Sequence, residues 1–193
     1  MTEPTPIDVM LSDLRDSHAR ALIGLAKKLR AEHAHVATEA LAEVDDDRVF
    51  GRLARFDAVL PGPTNFDLET MPVPAGDLGM AVSVNEVPCS LVRFPWNACR
   101  VQARVDDDRW TAALRGWLTE WIDPEDTGEA NADGVYEVVH GVRGGAVTDG
   151  MLSCTVDFGS AGIYAVHALI GALLTAGATF IAIGEPESLF RTE

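Results

Sequence analysis

From residue 89 to residue 183, strand-like and helical patterns alternate in an order that few folds accommodate. Strands are predicted over 89–94, 99–105, 135–142, 151–158 and 179–183, and helices over 106–122 and 160–176. This order contains the βαββαβ series of a ferredoxin-like sandwich, in which two helices cover one face of an antiparallel sheet. We therefore expect an α+β fold of this topology.

The helix over 106–122 carries the clearest pattern in the chain. Its apolar residues recur three or four positions apart and form one wide face: Trp110, Ala113, Leu114, Trp117, Leu118 and Trp121. Such a face packs against a core. The three tryptophans on this helix are therefore expected to be core residues.

The first third of the chain is predicted to be a helical segment, residues 1–61. Helices are expected over 7–43, with a break near His33 to His35 left open, and over 49–60. A proline-rich loop over 62–77 follows, and residues 78–193 are expected to form the sandwich, with a weak strand over 80–84. The chain has 193 residues, so both parts are expected to form one compact unit.

The charge is strongly acidic, with 30 acidic residues against 15 basic ones and a formal net charge of −15. Such a surface repels phosphate backbones, and the arginines form no basic patch, so no nucleic-acid partner is expected. A basic protein partner matches the sign of the charge. The alternative is that the acidity only keeps the protein soluble.

Cys89, Cys99 and Cys154 are an odd number of cysteines without close spacing, which favours a reducing compartment over a disulfide framework. The N-terminal residues carry no basic and apolar signal pattern, so a cytoplasmic location is expected. Residues 161–184 are uncharged and long enough to span a bilayer, which leaves a C-terminal membrane anchor as an alternative. The central His167 and the strand-like end of the segment favour a buried helix followed by a buried strand.

Two clusters of adjacent carboxylates, residues 45–47 and 106–108, lie within a repeated Val-Asp-Asp-Asp-Arg pattern. Neighbouring carboxylates cannot all point to one cation, so helix capping is favoured over calcium binding and over an internal duplication. His33 and His35 diverge on a helix and cannot share a metal, and His18, His140 and His167 are isolated. No metal or cofactor is predicted. A zinc site formed by His140, Cys154 and a distant ligand stays open.

No established catalytic motif occurs in the chain. The weak candidates for nucleophilic catalysis are Cys154 and His140, with Asp149 or Asp157 orienting the imidazole. Cys154 is predicted to share an inward face with apolar neighbours, and a buried thiol is usually inert. Arg143 lies in a glycine-rich segment over 141–150 that could contact an anion, but a hairpin connection is the favoured interpretation.

These observations favour a non-enzymatic, acidic protein-interaction module that binds a basic partner, such as an immunity (antidote) or regulatory protein. The predicted contacts are an acidic loop and one tryptophan in a Pro-Trp-Asn turn: Asp123, Glu125, Asp126, Glu129, Asp133 and Trp96. The first alternative is a small-molecule-binding or enzymatic domain with a site near Cys154 and His140. The second is a self-assembling structural protein, and the sequence leaves the oligomeric state open.

Overall fold

The described part of the chain folds into three α-helices and two β-sheets, which is an α+β fold. The computed structural model describes residues 5–62, 64–67, 80–106 and 108–185. Within them the α-helices are α1 (Pro6–Glu32), α2 (Arg109–Ile122) and α3 (Ile163–Thr175). The strands are β1 (Ala37–Glu43), β2 (Leu53–Val59), β3 (Asn65–Phe66), β4 (Met80–Val84), β5 (Val87–Val92), β6 (Cys99–Arg104), β7 (Gly141–Thr148), β8 (Met151–Asp157) and β9 (Phe180–Gly184).

The main sheet has six strands in the order β4-β5-β9-β6-β8-β7. Strands β5 and β9 run parallel, and the other neighbours run antiparallel, so the sheet is mixed. A smaller antiparallel sheet has the order β1-β2-β3. The predicted α+β class is confirmed. The ferredoxin-like topology is not confirmed, since the complete strand order differs from that of a four-stranded antiparallel sheet.

Helices α2 and α3 contact each other and pack on the main sheet. The Trp117 indole Nε1 donates a hydrogen bond to the Ala165 carbonyl at 2.9 Å, which joins the two helices inside the core. Trp117 is buried, and Trp110 and Trp121 are partly buried against the same core. The prediction of a core-facing tryptophan stripe is therefore confirmed.

The predicted helix over 7–43 is wrong in its second half. Helix α1 begins with a capping box between Thr5 and Asp8, with Pro6 in the first turn, and it ends at the His33 cap. Residues 37–43 instead form β1, paired with β2 from Ala37 opposite Val59 to Glu43 opposite Leu53. Pairing with a distant strand overrides the helix propensity of the Ala, Leu and Glu residues in this segment.

The predicted helix over 49–60 is also wrong, because a short 3-10 turn (Phe50–Arg52) and strand β2 occupy it. The buried positions of β2 include Arg55 and Asp57, so the alternation typical of a strand is hidden by charged residues that face inward. The acidic residues 45–47 therefore cap no α-helix, and Asp46 accepts hydrogen bonds from Arg48. Asp108 lies at the N-cap of α2 without a capping side-chain hydrogen bond, and residue 107 lies outside the described residues.

The last third follows the predicted order, with shifted boundaries at one hairpin. The glycine-rich segment predicted as a connection is strand β7 itself, with a bulge between Gly144 and Ala146, whereas residues 135–140 precede the strand. The predicted proline-rich loop lies mostly outside the described residues. Residues 161–184 form α3 followed by β9, as favoured, and no helix among the described residues is long and apolar enough to cross a membrane.

Candidate functional site: a buried histidine among carboxylates

His140 lies at the point where the two sheets meet. It immediately precedes β7, and its backbone carbonyl accepts a hydrogen bond from Arg55 N of β2 at 2.7 Å. Its backbone N donates to the Asp157 carbonyl at the end of β8 at 3.0 Å. Glu39 of β1 and Asp57 of β2 approach from the smaller sheet, so three strands, β1, β2 and β8, place carboxylates around one imidazole.

The His140 ring is surrounded by carboxylates. Its Nε2 lies 2.8 Å from Glu39 Oε1, and its Nδ1 lies 3.3 Å from Asp57 Oδ1 and 3.9 Å from Asp157 Oδ2. Burial alone would disfavour the charged imidazole. The hydrogen bond with Glu39 and the charges of Asp157 and Asp57 outweigh burial and raise the pKa of His140 to about 9. His140 is therefore an imidazolium at neutral pH, and both ring nitrogens are donors.

Glu39 is the innermost carboxylate, with 0% of its surface exposed. Burial raises its pKa, but hydrogen bonds from His140, Ser160 N and Tyr136 N reverse the effect and leave the pKa below its usual value. Its backbone has a φ of 49°, which is uncommon for a residue with a side chain. This conformation within a strand is a strained feature at the centre of the cluster, where such strain is typical of functional positions.

The loop after β8 can approach the cluster only because residue 159 is glycine. Gly159 has a φ of +52°, and a Cβ there would overlap the His140 ring. The next residue, Ser160, donates its backbone N–H to Glu39 at 3.2 Å. Its hydroxyl accepts hydrogen bonds from the backbone of Glu137 and Val138, which fixes the segment that leads into His140.

A second histidine, His18 of α1, lies beside the cluster and is 2% exposed. Burial, followed by the charge of His140, lowers the pKa of His18 to about 4. His18 is therefore neutral at neutral pH. The cluster holds a single charged imidazole facing several carboxylates.

The raised pKa of His140 predicts that stability falls as pH rises. The pKa is about 9 in the folded chain against 6.5 in the unfolded one, so the stabilisation is complete below pH 6.5 and is lost towards pH 9. Between pH 6.5 and about 8.5 we expect His140 to lower the free energy of unfolding by on the order of 2 kcal/mol. Urea denaturation at both pH values measures this difference. His140→Gln should show a nearly flat profile, and an equal slope in wild type and variant would contradict the assignment.

A small cavity opens beside His140. Its volume is about 160 Å³, and its polar lining residues are Arg55, Asp67, Asn97, His140, Arg143, Thr155 and Asp157. His140 and Asp157 line the cavity, whereas Glu39 and Asp57 do not. The Nδ1 atom of His140 is buried, and Asp57 Oδ1 lies 3.3 Å from it. Burial also raises the pKa of Asp157 to about 6 against the opposing effect of the His140 charge.

The structure separates the two predicted members of the catalytic dyad. The register places Cys154 opposite Gly144, and Cys154 shares a buried face of β8 with Leu152 and Val156. Asp157, which contacts His140, lies on the opposite face because side chains alternate along a strand. Of the two acids proposed to orient His140, Asp157 is adjacent to it, whereas Asp149 lies in the turn at the far end of the hairpin.

The cysteines are expected to be unreactive in the folded protein. All three are buried, and burial raises the pKa of Cys154 to about 12. Iodoacetamide at about pH 8 should alkylate the folded chain more than about 100-fold more slowly than the urea-unfolded chain, since the thiolate is the nucleophile. Mass spectrometry of quenched samples follows the reaction. Rapid labelling of Cys154 in the folded state would support the hypothesis that Cys154 and His140 form a catalytic dyad.

The other predicted site residues take varied positions. Trp96, predicted as a partner contact, is 4% exposed and packs against Phe94 and Phe158. His167 is not a core residue, because it is exposed and contacts Asp8 Oδ1 at 2.9 Å. Arg143 is exposed at the cavity rim, 3.9 Å from Asp67. Across the described part of the chain, no three His, Cys, Asp or Glu side chains are arranged to hold a metal ion.

The acidic loop is exposed, as its composition predicts, but two of its carboxylates also bind a buried arginine. Arg55 Nη2 lies 2.8 Å from Asp126 Oδ1 and 3.7 Å from Asp123 Oδ2. Glu125, Glu129 and Asp133 are exposed. Only these three carboxylates are therefore available to a partner without disturbing Arg55.

Sequence reasoning found His140 and Asp157 but missed Glu39 and Asp57. Both missed acids fall in segments predicted as helices, where a lone carboxylate indicates a solvent-exposed face. One sequence feature could have indicated the strand: Arg55 and Asp57 are two positions apart in an otherwise apolar segment, which is the spacing of one face of a β-strand. No protein-family model, no curated protein and no solved structure matches the chain.

Proposed function

We propose that this protein binds a small polar molecule in the cavity beside His140. The observation that carries the proposal is a cavity of about 160 Å³ whose lining brings Arg55, His140 and Asp157 together. A small concave site with a few precisely placed charged and polar groups has an affinity for polar molecules of matching size.

The cavity volume limits the size of the ligand. A cavity of about 150 Å³ accommodates a molecule of the size of benzene, so about 160 Å³ holds roughly six non-hydrogen atoms. The lining supports a polar ligand because Thr155 and Asp157 of β8 and Asn97, just before β6, all contribute to it. A few convergent polar groups on a largely preformed pocket are typical of small-molecule sites.

A fragment screen with a pocket-filling variant tests the proposal. Saturation-transfer NMR with polar fragments of up to about eight non-hydrogen atoms should identify ligands of the wild-type protein. Ala98→Leu inserts a larger side chain into the cavity lining and should abolish their binding. Ala112→Leu, on the exposed side of α2, is the matched control and should leave binding unchanged. The proposal fails if no fragment binds, or if Ala98→Leu binds them all as well as wild type.

A second candidate function is the acidic interaction module. It is supported by an exposed loop that lies within a stretch lacking Lys and Arg from Gly116 to Val142 and that Arg55 anchors to the fold. An ordered acidic surface attracts a basic partner with less loss of conformational entropy than a flexible one. Neutralising Glu125, Glu129 and Asp133 together should weaken salt-sensitive capture of a basic protein from the host lysate. Unchanged capture and unchanged salt dependence would exclude this surface.

We also propose that residues 99–184 are a ferredoxin-like unit to which β4 and β5 are added. The strand order β9-β6-β8-β7 with antiparallel pairing, and the mutual contact of α2 and α3, support this relationship. Interstrand nuclear Overhauser effects between Val101 and Ile183, and between Val101 and Cys154, test the two central pairings. Absence of either would contradict the proposed unit.

A further inference from the structure

A second concave surface, the α2 groove, is formed by the 3-10 turn (Phe50–Arg52), helix α2 and the bulge of β7. Its volume is about 580 Å³, which lies within the range of about 300–1,000 Å³ typical of ligand pockets. The groove is distinct from the cavity beside His140, because the two linings share Val49 and no other described residue. A ligand of the groove therefore has its own set of contacts.

The lining of the α2 groove is largely apolar. Five apolar side chains contribute to it: Val49, Phe50, Leu53, Leu118 and Ile122. Gly51, Gly144 and Gly145 add backbone without side chains. Gly145 has a φ of +104°, and a Cβ there would lie 3.2 Å from the Phe50 ring, so a residue with a side chain would crowd the groove. The groove therefore offers open apolar surface to a ligand.

The charged part of the lining has one cation in excess. Among the described residues that line the groove, the charged ones are Asp47, Arg52 and Arg115. Arg52 pairs with Asp47 at 3.6 Å, and the adjacent Asp46 is bound by Arg48 at 2.8 Å. Arg115 is exposed, and within the described part of the chain its side chain has neither a hydrogen bond nor an ion pair. Its guanidinium donors are therefore available to a ligand beside the apolar surface.

We infer that the α2 groove binds a small organic carboxylate with an apolar tail, such as an arylalkanoate. The planar guanidinium of Arg115 donates to the carboxylate, a pairing that can form two parallel hydrogen bonds. The tail packs against the apolar lining and is removed from water. The chain as a whole is acidic, but at physiological ionic strength the Debye length is about 8 Å, so carboxylates farther away than this are largely screened.

Four probes separate the contribution of the charge from that of the tail. They are 3-phenylpropanoate, the alcohol and the ammonium ion with the same phenylpropyl skeleton, and propanoate. Chemical-shift titration of ¹⁵N-labelled protein should give 3-phenylpropanoate a dissociation constant of about 1 mM or lower, with the largest shifts at groove amides such as those of Thr119 and Gly145. Each of the other three probes should bind at least about 10-fold more weakly, because it lacks either the anion or the tail.

One variant and two controls test the residues. Arg115→Gln should lower the affinity for 3-phenylpropanoate by about 10-fold, and it should fold like wild type because Arg115 is exposed. Arg20→Gln removes an exposed arginine of α1 outside the groove, and Ala98→Leu fills the cavity beside His140. Both controls should bind 3-phenylpropanoate as wild type does.

The inference is overturned if 3-phenylpropanoate does not bind, if any of the other probes binds as tightly, or if Arg115→Gln leaves the affinity unchanged. Loss of binding in Ala98→Leu would place the probe in the other cavity and would also overturn it. The inference does not rest on the proposed function, because the binding of polar fragments beside His140 is tested separately by its own sensitivity to Ala98→Leu.

Discussion

Replacing Arg55 by alanine is expected to lower the free energy of unfolding by about 3–5 kcal/mol. The guanidinium is fully buried and donates to three backbone carbonyls, those of Ile122, Glu39 and Asp123, at 2.7–2.9 Å. Removing it leaves these carbonyls without a donor and leaves Asp126 without its cation, in addition to the lost packing. Because α2, β1 and the acidic loop all meet at Arg55, the loss affects the junction of the two sheets.

Urea denaturation measures this effect, and the chain contains a matched control. Arg52 lies three residues earlier, is exposed and pairs with the exposed Asp47 at 3.6 Å. Arg52→Ala should cost less than about 1 kcal/mol. Arg55→Lys should fall between the two, since an ammonium retains charge but lacks the planar fork. Equal stability of Arg55→Ala and Arg52→Ala would show that the buried hydrogen bonds carry little energy.

Replacing Glu39 by alanine is expected to cost a similar amount, about 3–5 kcal/mol. The variant removes the acceptor for three donors, the His140 ring, Ser160 N and Tyr136 N, and leaves a buried imidazolium with fewer carboxylates. Loss of Glu39 should also lower the pKa of His140, because the hydrogen bond that His140 donates to Glu39 is the largest of the influences that raise it. The fall in stability between pH 6.5 and about 8.5 should therefore be smaller than in wild type.

Glu43 supplies the control for this variant. It lies at the exposed end of the same strand, and Glu43→Ala should change the free energy of unfolding by less than about 0.5 kcal/mol. Glu39→Gly should be less destabilising than Glu39→Ala, because glycine adopts the positive φ at residue 39 without strain. A stable Glu39→Ala protein with an unchanged pH profile would contradict the role assigned to the carboxylate.

The region from residue 99 onward could be predicted from sequence because its buried residues are apolar. The stripe on α2 and the alternation of Leu152, Cys154 and Val156 both reflect burial against one core. Apolar periodicity reports such faces directly. The boundary of β7 was predicted wrongly because the glycines at its bulge are also the residues typical of a turn.

The small sheet and the site could not be predicted in the same way. Glu39, Arg55 and Asp57 face inward, so hydrophobic periodicity assigns their segments to the wrong element. Their burial is permitted only by partners far along the chain, such as Ser160 and Ile122. A charged residue whose hydrogen bonds come from tertiary contacts leaves no local signal, which is why the full set of carboxylates around His140 is visible only in the structure.

A long-range ¹H–¹⁵N NMR spectrum of the histidine rings at about pH 7.5 tests the central claim most directly, because it reports the protonation of each ring nitrogen. We expect His140 to have both ring nitrogens protonated and its ring resonances to move when a ligand sensitive to Ala98→Leu is added. A neutral His140 ring, or ring resonances that stay fixed under a saturating ligand, would contradict the assignment.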